Sequence, residues 1–406
     1  MKPKILSSRN AAAAAALLLA LTTTACSGSA LGSSGAASGS TESLKIGLLL
    51  PTSGVYAPIS DDMKAGFELY LDQHDGKIAG KKVELIVEDT EATPDVGLRK
   101  ANKLIQEDKI DFGTGIVSSG VALQVAGAFE NAKVPLVVSN AIANAITGKS
   151  KSQYVFRTSQ SSHQLSYPVG KWISEELDKA PLFLTASDYA AGHELVDGVR
   201  EGYKEAGGTI AGEAFPAFGK TQDYQPYISQ VKSSGAKATY SFFAGAESVN
   251  FVKQYDQFGL HGNIPLIGPG SLTTADVLGA QGASAKGVYS VLPYAWTLDN
   301  PTNKAFVEAY KAKTNRVPSY FSVFSYDAAQ LIAKAAEANA DKLDDGAALA
   351  ASMEGAKIDS PRGSLTIDPK THGTVQQMYV ARIDEVNGEL APVVVSKLGE
   401  FGEQPK

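Results

Sequence analysis

The sequence predicts an α/β protein of two units, each a parallel sheet wound on both faces by helices. Three observations carry this. Continuous apolar runs of strand length alternate with stretches of helical periodicity. The alternation starts afresh after "VFRTS" (155–159). About 360 residues follow the N-terminal leader, more than one hydrophobic core normally serves.

The first strand is "LKIGLLL" (44–50), apolar on both faces. Ser60, Asp61 and Asp62 then open a helix, with Ser60 as its cap and the acids at its positive end. Met63, Phe67, Tyr70 and Leu71 recur at helical spacing along it. The strand "GKKVELIVED" follows, and Thr93–Pro94 reads as a cap with proline at the first helical position. "KIDFGTG", a helix from about Gly120 and "VPLVVSN" complete the first unit. The second contains the strands "PLFLTA", "TIAGEAF", "ATYSFFAG" and "IPLIGPG", separated by helices such as "GHELVDGVREGYKEAG" and "SVNFVKQYDQFG". Two further helices, around "NKAFVEAYKAKT" and "YDAAQLIAKAAEANA", precede closing short strands, "GSLTID" and "QQMYVARI".

The N-terminus reads as an export signal. Lys2, Lys4 and Arg9 precede an apolar run of eleven residues from Ala11 to Leu21, too short for a permanent span. Thr24 and Ala25 stand directly before Cys26, the only cysteine. This resembles a bacterial lipobox, with Thr23 where leucine is usual. The reading is a signal peptide over 1–25, lipidation at Cys26 and a Gly/Ser-rich tether over 26–43, with a plain secretory signal and an incidental cysteine as the alternative. The mature chain would lose three cations and no acid, moving its net charge from −6 to −9. That balance argues against nucleic acid as a partner. No later segment is long and apolar enough to span a membrane.

The stretch "GTGIVSSGVALQ" (113–124) is a Gly/Ser elbow between strand and helix. A P-loop would need Lys and Ser/Thr where Val121 and Ala122 stand, and a dinucleotide fingerprint would need glycine at Ser118. Neither Ser118 nor Ser119 has the flanking glycines of a nucleophile elbow. What remains is a helix N-terminus with two hydroxyls, which serve equally as simple caps or as donors to a bound anion. The five histidines are scattered, and His193–Glu194 lacks the second histidine of a zinc helix, so no metal or cofactor is expected. No nucleophile–base pair suggests a hydrolase.

From Leu44 to Ile383 the ordered set "KIGLLLPTSGVYAPISDDMKAGFELYL", "VELIVEDT", "VSSGVALQVAGAFENAKVPLVVSNA", "YVFRTS", "LDNPTNKAFVEAYKAK" and "YDAAQLIAKA" resembles the extracytoplasmic substrate-binding proteins of ABC importers, of the leucine/isoleucine/valine-binding type. The resemblance implies two lobes joined by three crossovers near Thr158, Val291 and Gly373, with a ligand cleft between them. The lobes would comprise 44–158 plus 292–372, and 159–291 plus 373–406. It places the ligand carboxylate at Ser118 and Ser119, most strongly at Ser119, with backbone contacts at Ala141 and Ala143. Asn140 and Asn144 are further polar candidates in the same loop. Amino-acid binders of this type carry an acid where this chain has Gly270, with Asp188 or Glu247 as substitutes for meeting an ammonium. A ligand without an ammonium is the simpler reading, in a sub-branch resembling binders of aromatic and other non-amino-acid carboxylates. Tyr56, Tyr189, Phe243 and Tyr294 would line the ring. Trp296 would touch either the ligand or the lobe interface. The implied partners are a small carboxylate, an importer permease and its ATPase, and the membrane through a lipid anchor; the protein would be a monomer. An amino-acid binder and a ligand-sensing receptor of the same fold are the alternative readings.

Overall fold

The computed structural model describes residues 43–148 and 151–403. The expected leader, Cys26 and all but the last residue of the tether lie outside the described residues. Among the described residues two sheets form. The first contains β1 (Leu44–Leu50), β2 (Lys77–Ile78), β3 (Lys81–Asp89), β4 (Phe112–Gly115), β5 (Leu136–Val138) and β6 (Val155–Arg157), in the order β2-β3-β1-β4-β5-β6. All its pairings are parallel except the β2–β3 hairpin. Helices α1 (Ala57–Asp72), α2 (Pro94–Lys103) and α3 (Ser119–Ala132) connect these strands. β1 lies at the centre of this sheet and its leucines and isoleucine are buried, as its unbroken apolar run requires.

The chain then passes to the second lobe through α4 (Ser162–Glu176). There β7 (Leu182–Ala186), α5 (Ala190–Glu205), β8 (Ile210–Ala214), α6 (Gln225–Ser233), β9 (Ala238–Phe242), α7 (Ala246–Gln257), β10 (Leu266–Pro269), α8 (Ala275–Gln281) and β11 (Tyr289–Leu292) alternate. The strands β8-β7-β9-β10-β11 pair in parallel. After β11 the chain returns to the first lobe as α9 (Pro301–Thr314), α10 (Tyr320–Ala338), α11 (Gly346–Met353), β12 (Lys357–Ser360) and β13 (Gly363–Ile367). Ala328, Leu331 and Ile332 of α10 and Leu365 of β13 share a core with Ile46 and Phe112. The third crossing leads into β14 (Thr374–Val386) and β15 (Glu389–Phe401), whose Met378 and Val380 pack with Val291 and Leu184.

Three local expectations differ from the structure. Helix α1 begins at Ala57 because Pro58 fits the first turn, so Ser60 lies inside it and donates to the Pro51 carbonyl at 2.6 Å. Asp62 faces inward, taking the Tyr310 hydroxyl at 3.0 Å and Arg316 at 2.8 Å. Of the two closing strands, "GSLTID" is short, as β13, but "QQMYVARI" lies within β14, which runs thirteen residues and forms one antiparallel hairpin with the equally long β15. Trp296 packs against core clusters of both lobes.

The crossings are held by polar bonds. Between β12 and β13, Arg362 pairs with Asp327 of α10 at 2.9 Å and donates to the Thr158 carbonyl in the first crossing and to Gln376 of β14. Gln376 in turn donates to the Ser159 carbonyl at 3.1 Å.

Helix α10 is apolar around most of its circumference, as a helix enclosed on all sides must be. It lies so close to α1 that a Cβ on Gly66 would sit 2.0 Å from the Ser322 carbonyl oxygen. Gly66→Ala therefore forces two backbones apart. The expected cost is about 1–3 kcal/mol, read as a lower urea midpoint at unchanged slope.

Candidate ligand-binding site

A cavity of about 330 Å³ lies where segments following strands of both sheets converge. Val117–Gly120 follow β4, Asn140 and Ile142 follow β5, Tyr189–Ala191 follow β7, and Phe218 follows β8. Open parallel sheets bind ligands at these carboxyl ends, where loops and helix N-termini meet. The volume is at the small end of the range for small-molecule sites, about 300–1,000 Å³.

The seat is built from the elbow after β4. Gly115 has φ 106°, and a Cβ there would lie 2.6 Å from the Leu49 carbonyl oxygen. Ile116 follows at φ 69°, a strained conformation for a β-branched residue. Its surroundings hold it: Ile116 is buried, its N–H donates to Leu49 at 2.7 Å, and its carbonyl accepts from Ala141 N–H at 3.0 Å. Two left-handed residues in succession turn the chain so that Ser118 is the N-cap of α3 and Ser119 its first residue. Ser118 makes no side-chain cap bond, so the first N–H groups of α3 keep no side-chain acceptor. Helix α5 begins at the same cavity, also without a side-chain cap at Tyr189.

The Ser119 hydroxyl oxygen accepts the N–H of Ile142 at 3.2 Å and that of Ala143 at 3.1 Å. A hydroxyl has two lone pairs and one proton. With both lone pairs engaged, Ser119 offers the cavity a donor. Uncapped helix dipoles and a committed donor favour a negatively charged group.

Opposite the seat, Tyr189 stacks on Phe218 at 4.5 Å and Tyr56 on Phe218 at 6.4 Å. Tyr56 comes from the first lobe and the other two from the second, so this aromatic wall spans the cleft. Burial, reinforced by the Glu247 charge, pushes the Tyr56 phenol well above its ordinary value. Burial likewise raises the phenols of Tyr189 and Tyr320. All three remain neutral.

Among the described residues no Asp, Glu, Lys, Arg or His lines the cavity. The two acids considered as ammonium partners are engaged elsewhere. Glu247 takes the Ser187 hydroxyl at 2.5 Å and the Gly219 N–H at 2.8 Å, and Asp188 pairs with His193 at 2.8 Å. Among the described residues no group of three His, Cys, Asp or Glu could hold a metal ion.

Of the residues singled out in the sequence, Ser118, Ser119, Tyr56 and Tyr189 meet at this cavity, with Asn140. Asn144 does not line it; its N–H donates to Glu194 and its Oδ1 accepts the His163 N–H, and five of the expected binding residues do not line it either. Ala141 and Ala143 are buried behind it, and their amides are committed to Ile116 and Ser119. Phe243 is fully buried against Phe251 at 4.4 Å and Tyr224 at 5.3 Å. Its neighbour Phe242, on the opposite side of β9, lines the cavity instead. Tyr294 and Gly270 border a separate small chamber behind Tyr320. A Cβ on Gly270 would lie 2.7 Å from the Tyr320 ring, which stands where a side chain at 270 would begin.

Gln160, Phe218, Ser271 and Tyr320 also line the cavity and were not anticipated. Gln160 is 2 % exposed, and its Oε1 has no partner among the described residues. It lies in the first crossing, and no periodicity marks such a residue.

A sequence model of the family described as "Periplasmic binding protein" matches residues 43–389. The chain belongs to that family. Among curated relatives, a Leu/Ile/Val-binding protein homologue of Brucella melitensis is 32% identical over 347 residues, covering 84% of this chain and 87% of the relative. Among solved structures, an ABC-transporter solute-binding protein from Rhodopseudomonas palustris BisB5, in complex with 3,4-dihydroxybenzoic acid, superimposes with TM-score 0.84 at 32% identity, covering 89% of this chain and 98% of that one. An R. palustris solute-binding protein in complex with benzoate gives TM-score 0.83 at 31% identity, over 90% of this chain and 99% of that one. The two-lobe α/β architecture described above is consistent with that of these neighbours. No helix among the described residues is long and apolar enough to cross a membrane.

Two predictions follow from the seat. Ser119→Ala removes a ligand donor and leaves two amides without their acceptor, so affinity for a carboxylate should fall by about 1.5–3 kcal/mol, measured by calorimetry. Because the lining phenols titrate above their ordinary range, affinity should be flat from pH 6 to 9. It should weaken only as pH falls toward the ligand carboxyl's own value, about 4, where the anion is lost.

Proposed function

We propose that this protein is the substrate-binding lipoprotein of an ABC importer, anchored outside the cytoplasmic membrane through Cys26, and that it captures a small carboxylate. Aromatic and other non-amino-acid organic acids are the preferred class. The observation that carries this reading is the cavity's composition. One side offers the N-terminus of α3 and the Ser119 hydroxyl to an anion, the other is aromatic, and among the described residues no carboxylate lines the space to receive an ammonium. An amino acid taken into this cavity would bury its ammonium without a charged partner, at a cost of several kcal/mol. The benzoate and dihydroxybenzoate carried by the two R. palustris neighbours support the same class.

In the proposed cycle, the open form exchanges ligand, and bound ligand bridges Ser119 in the first lobe and the Tyr189–Phe218 wall in the second. This shifts the population toward closure. The closed form is then the one a permease and its ATPase would engage.

Purified protein screened by thermal shift and calorimetry tests the class. At 100 times the dissociation constant a ligand adds about 2.7 kcal/mol of stability, a readily measured shift. Benzoate-type acids are expected to stabilise the protein and leucine, isoleucine and valine are not. Stabilisation by the amino acids with none by the aromatic acids would overturn the reading.

A further inference from the structure

We propose that Glu403 is a positioning residue for the carboxylate seat, acting through Arg157 on the loop that holds Ser119. The inference rests on the functional reading above for its ligand, and on geometry alone for its mechanism.

Arg157, the last residue of β6, is fully buried. Its Nη1 donates to the carbonyls of Ala141 at 3.2 Å and Gln160 at 3.1 Å. Its Nη2 donates to the Ala143 carbonyl at 2.8 Å and the Thr147 hydroxyl at 2.7 Å. Its Nε lies 3.0 Å from both Thr147 Oγ1 and Glu403 Oε1. The Thr147 hydroxyl donates to the other Glu403 oxygen. Glu403 is itself 6 % exposed and comes from the segment after β15, at the far end of the chain.

The connection to the seat is covalent and planar. The Ala141 carbonyl and the Ile142 N–H belong to one peptide unit, so fixing the oxygen fixes the hydrogen on the opposite side. That N–H is one of the two that engage Ser119 Oγ. Arg157 therefore sets the direction in which Ser119 can offer its proton. A guanidinium among carbonyls, out of contact with water, needs a counter-charge to hold this geometry. Glu403 supplies it at 3.0 Å. The third crossing is fitted to this carboxylate: a Cβ on Gly373 would lie 2.2 Å from Glu403 Cδ. The end of the chain thus reaches back to determine how its first lobe binds an anion.

Glu403→Gln and Glu403→Ala test this. Glutamine keeps an acceptor for Thr147 and removes the charge; alanine removes both. Two readouts are taken on the full chain: hydrogen exchange of the segment 139–148 in ligand-free protein, and calorimetric titration with benzoate. Exchange in that segment should be faster in the order Ala, then Gln, then wild type. The benzoate dissociation constant should rise about tenfold or more in the Ala variant at unchanged stoichiometry, with Gln between. Unchanged protection of 139–148 in both variants overturns the proposal, as does faster exchange with an unchanged dissociation constant. If Ala unfolds, it loses protection throughout, and Gln decides by the same criteria. If wild-type protein binds no benzoate, the functional reading fails instead, while the exchange measurement still decides whether Glu403 positions the loop.

Discussion

Two buried guanidinium groups govern how this protein is put together. Arg157 and Arg362 are each 3 % exposed or less, and each bonds to main-chain carbonyls where the chain passes between lobes. A cation enclosed in this way dictates its surroundings, because every donor must find an oxygen and the charge must find a carboxylate. Arg157 answers with the 141–147 loop, the Gln160 carbonyl and Glu403. Arg362 answers with Asp327, Thr158 and Gln376. Segments distant in sequence converge there because the cations leave them few alternatives. The apolar cores fill each lobe, but these polar knots join one lobe to the other.

The seat for the ligand is shaped by the same economy of polar groups. The left-handed pair Gly115–Ile116 aims α3 at the cavity, and Ser118 leaves the helix uncapped there. Ser119 has its acceptor capacity filled by the neighbouring loop. On the proposed reading, the attraction of this site for an anion comes from oriented dipoles and one hydroxyl proton, preorganised before a ligand arrives. The strain at Ile116 is retained because its N–H, carbonyl and side chain are all engaged.

Much of this was legible in the sequence. Unbroken apolar runs such as 44–50 and their alternation with amphipathic stretches gave the parallel sheets. The elbow at 113–124 could be recognised as a helix start carrying two hydroxyls. Less legible was anything decided across the cleft. Phe242 and Phe243 are chemically identical neighbours, and only the register of β9 decides which one faces the ligand space. Ala141 and Ala143 lie in the right loop, yet their amides are taken by partners more than twenty residues away in sequence. Gly270 was informative as an absence, but its cause, the ring of Tyr320 fifty residues later, belongs to packing and leaves no local trace. Glu403 sits near the end of the chain, where sequence offers no reason to expect a link to the anion seat.

The charge-free lining has one more consequence. A cavity that balances an anion only with dipoles has a fixed capacity for charge. One carboxylate uses the N-terminus of α3 and the Ser119 proton. A second, on the opposite edge of the ligand, would face the rings of Tyr189 and Phe218 with no cation among the described residues to meet it. Burying it would cost several kcal/mol. On the proposed reading of the site, its walls favour a monoanion over a dicarboxylate of the same size.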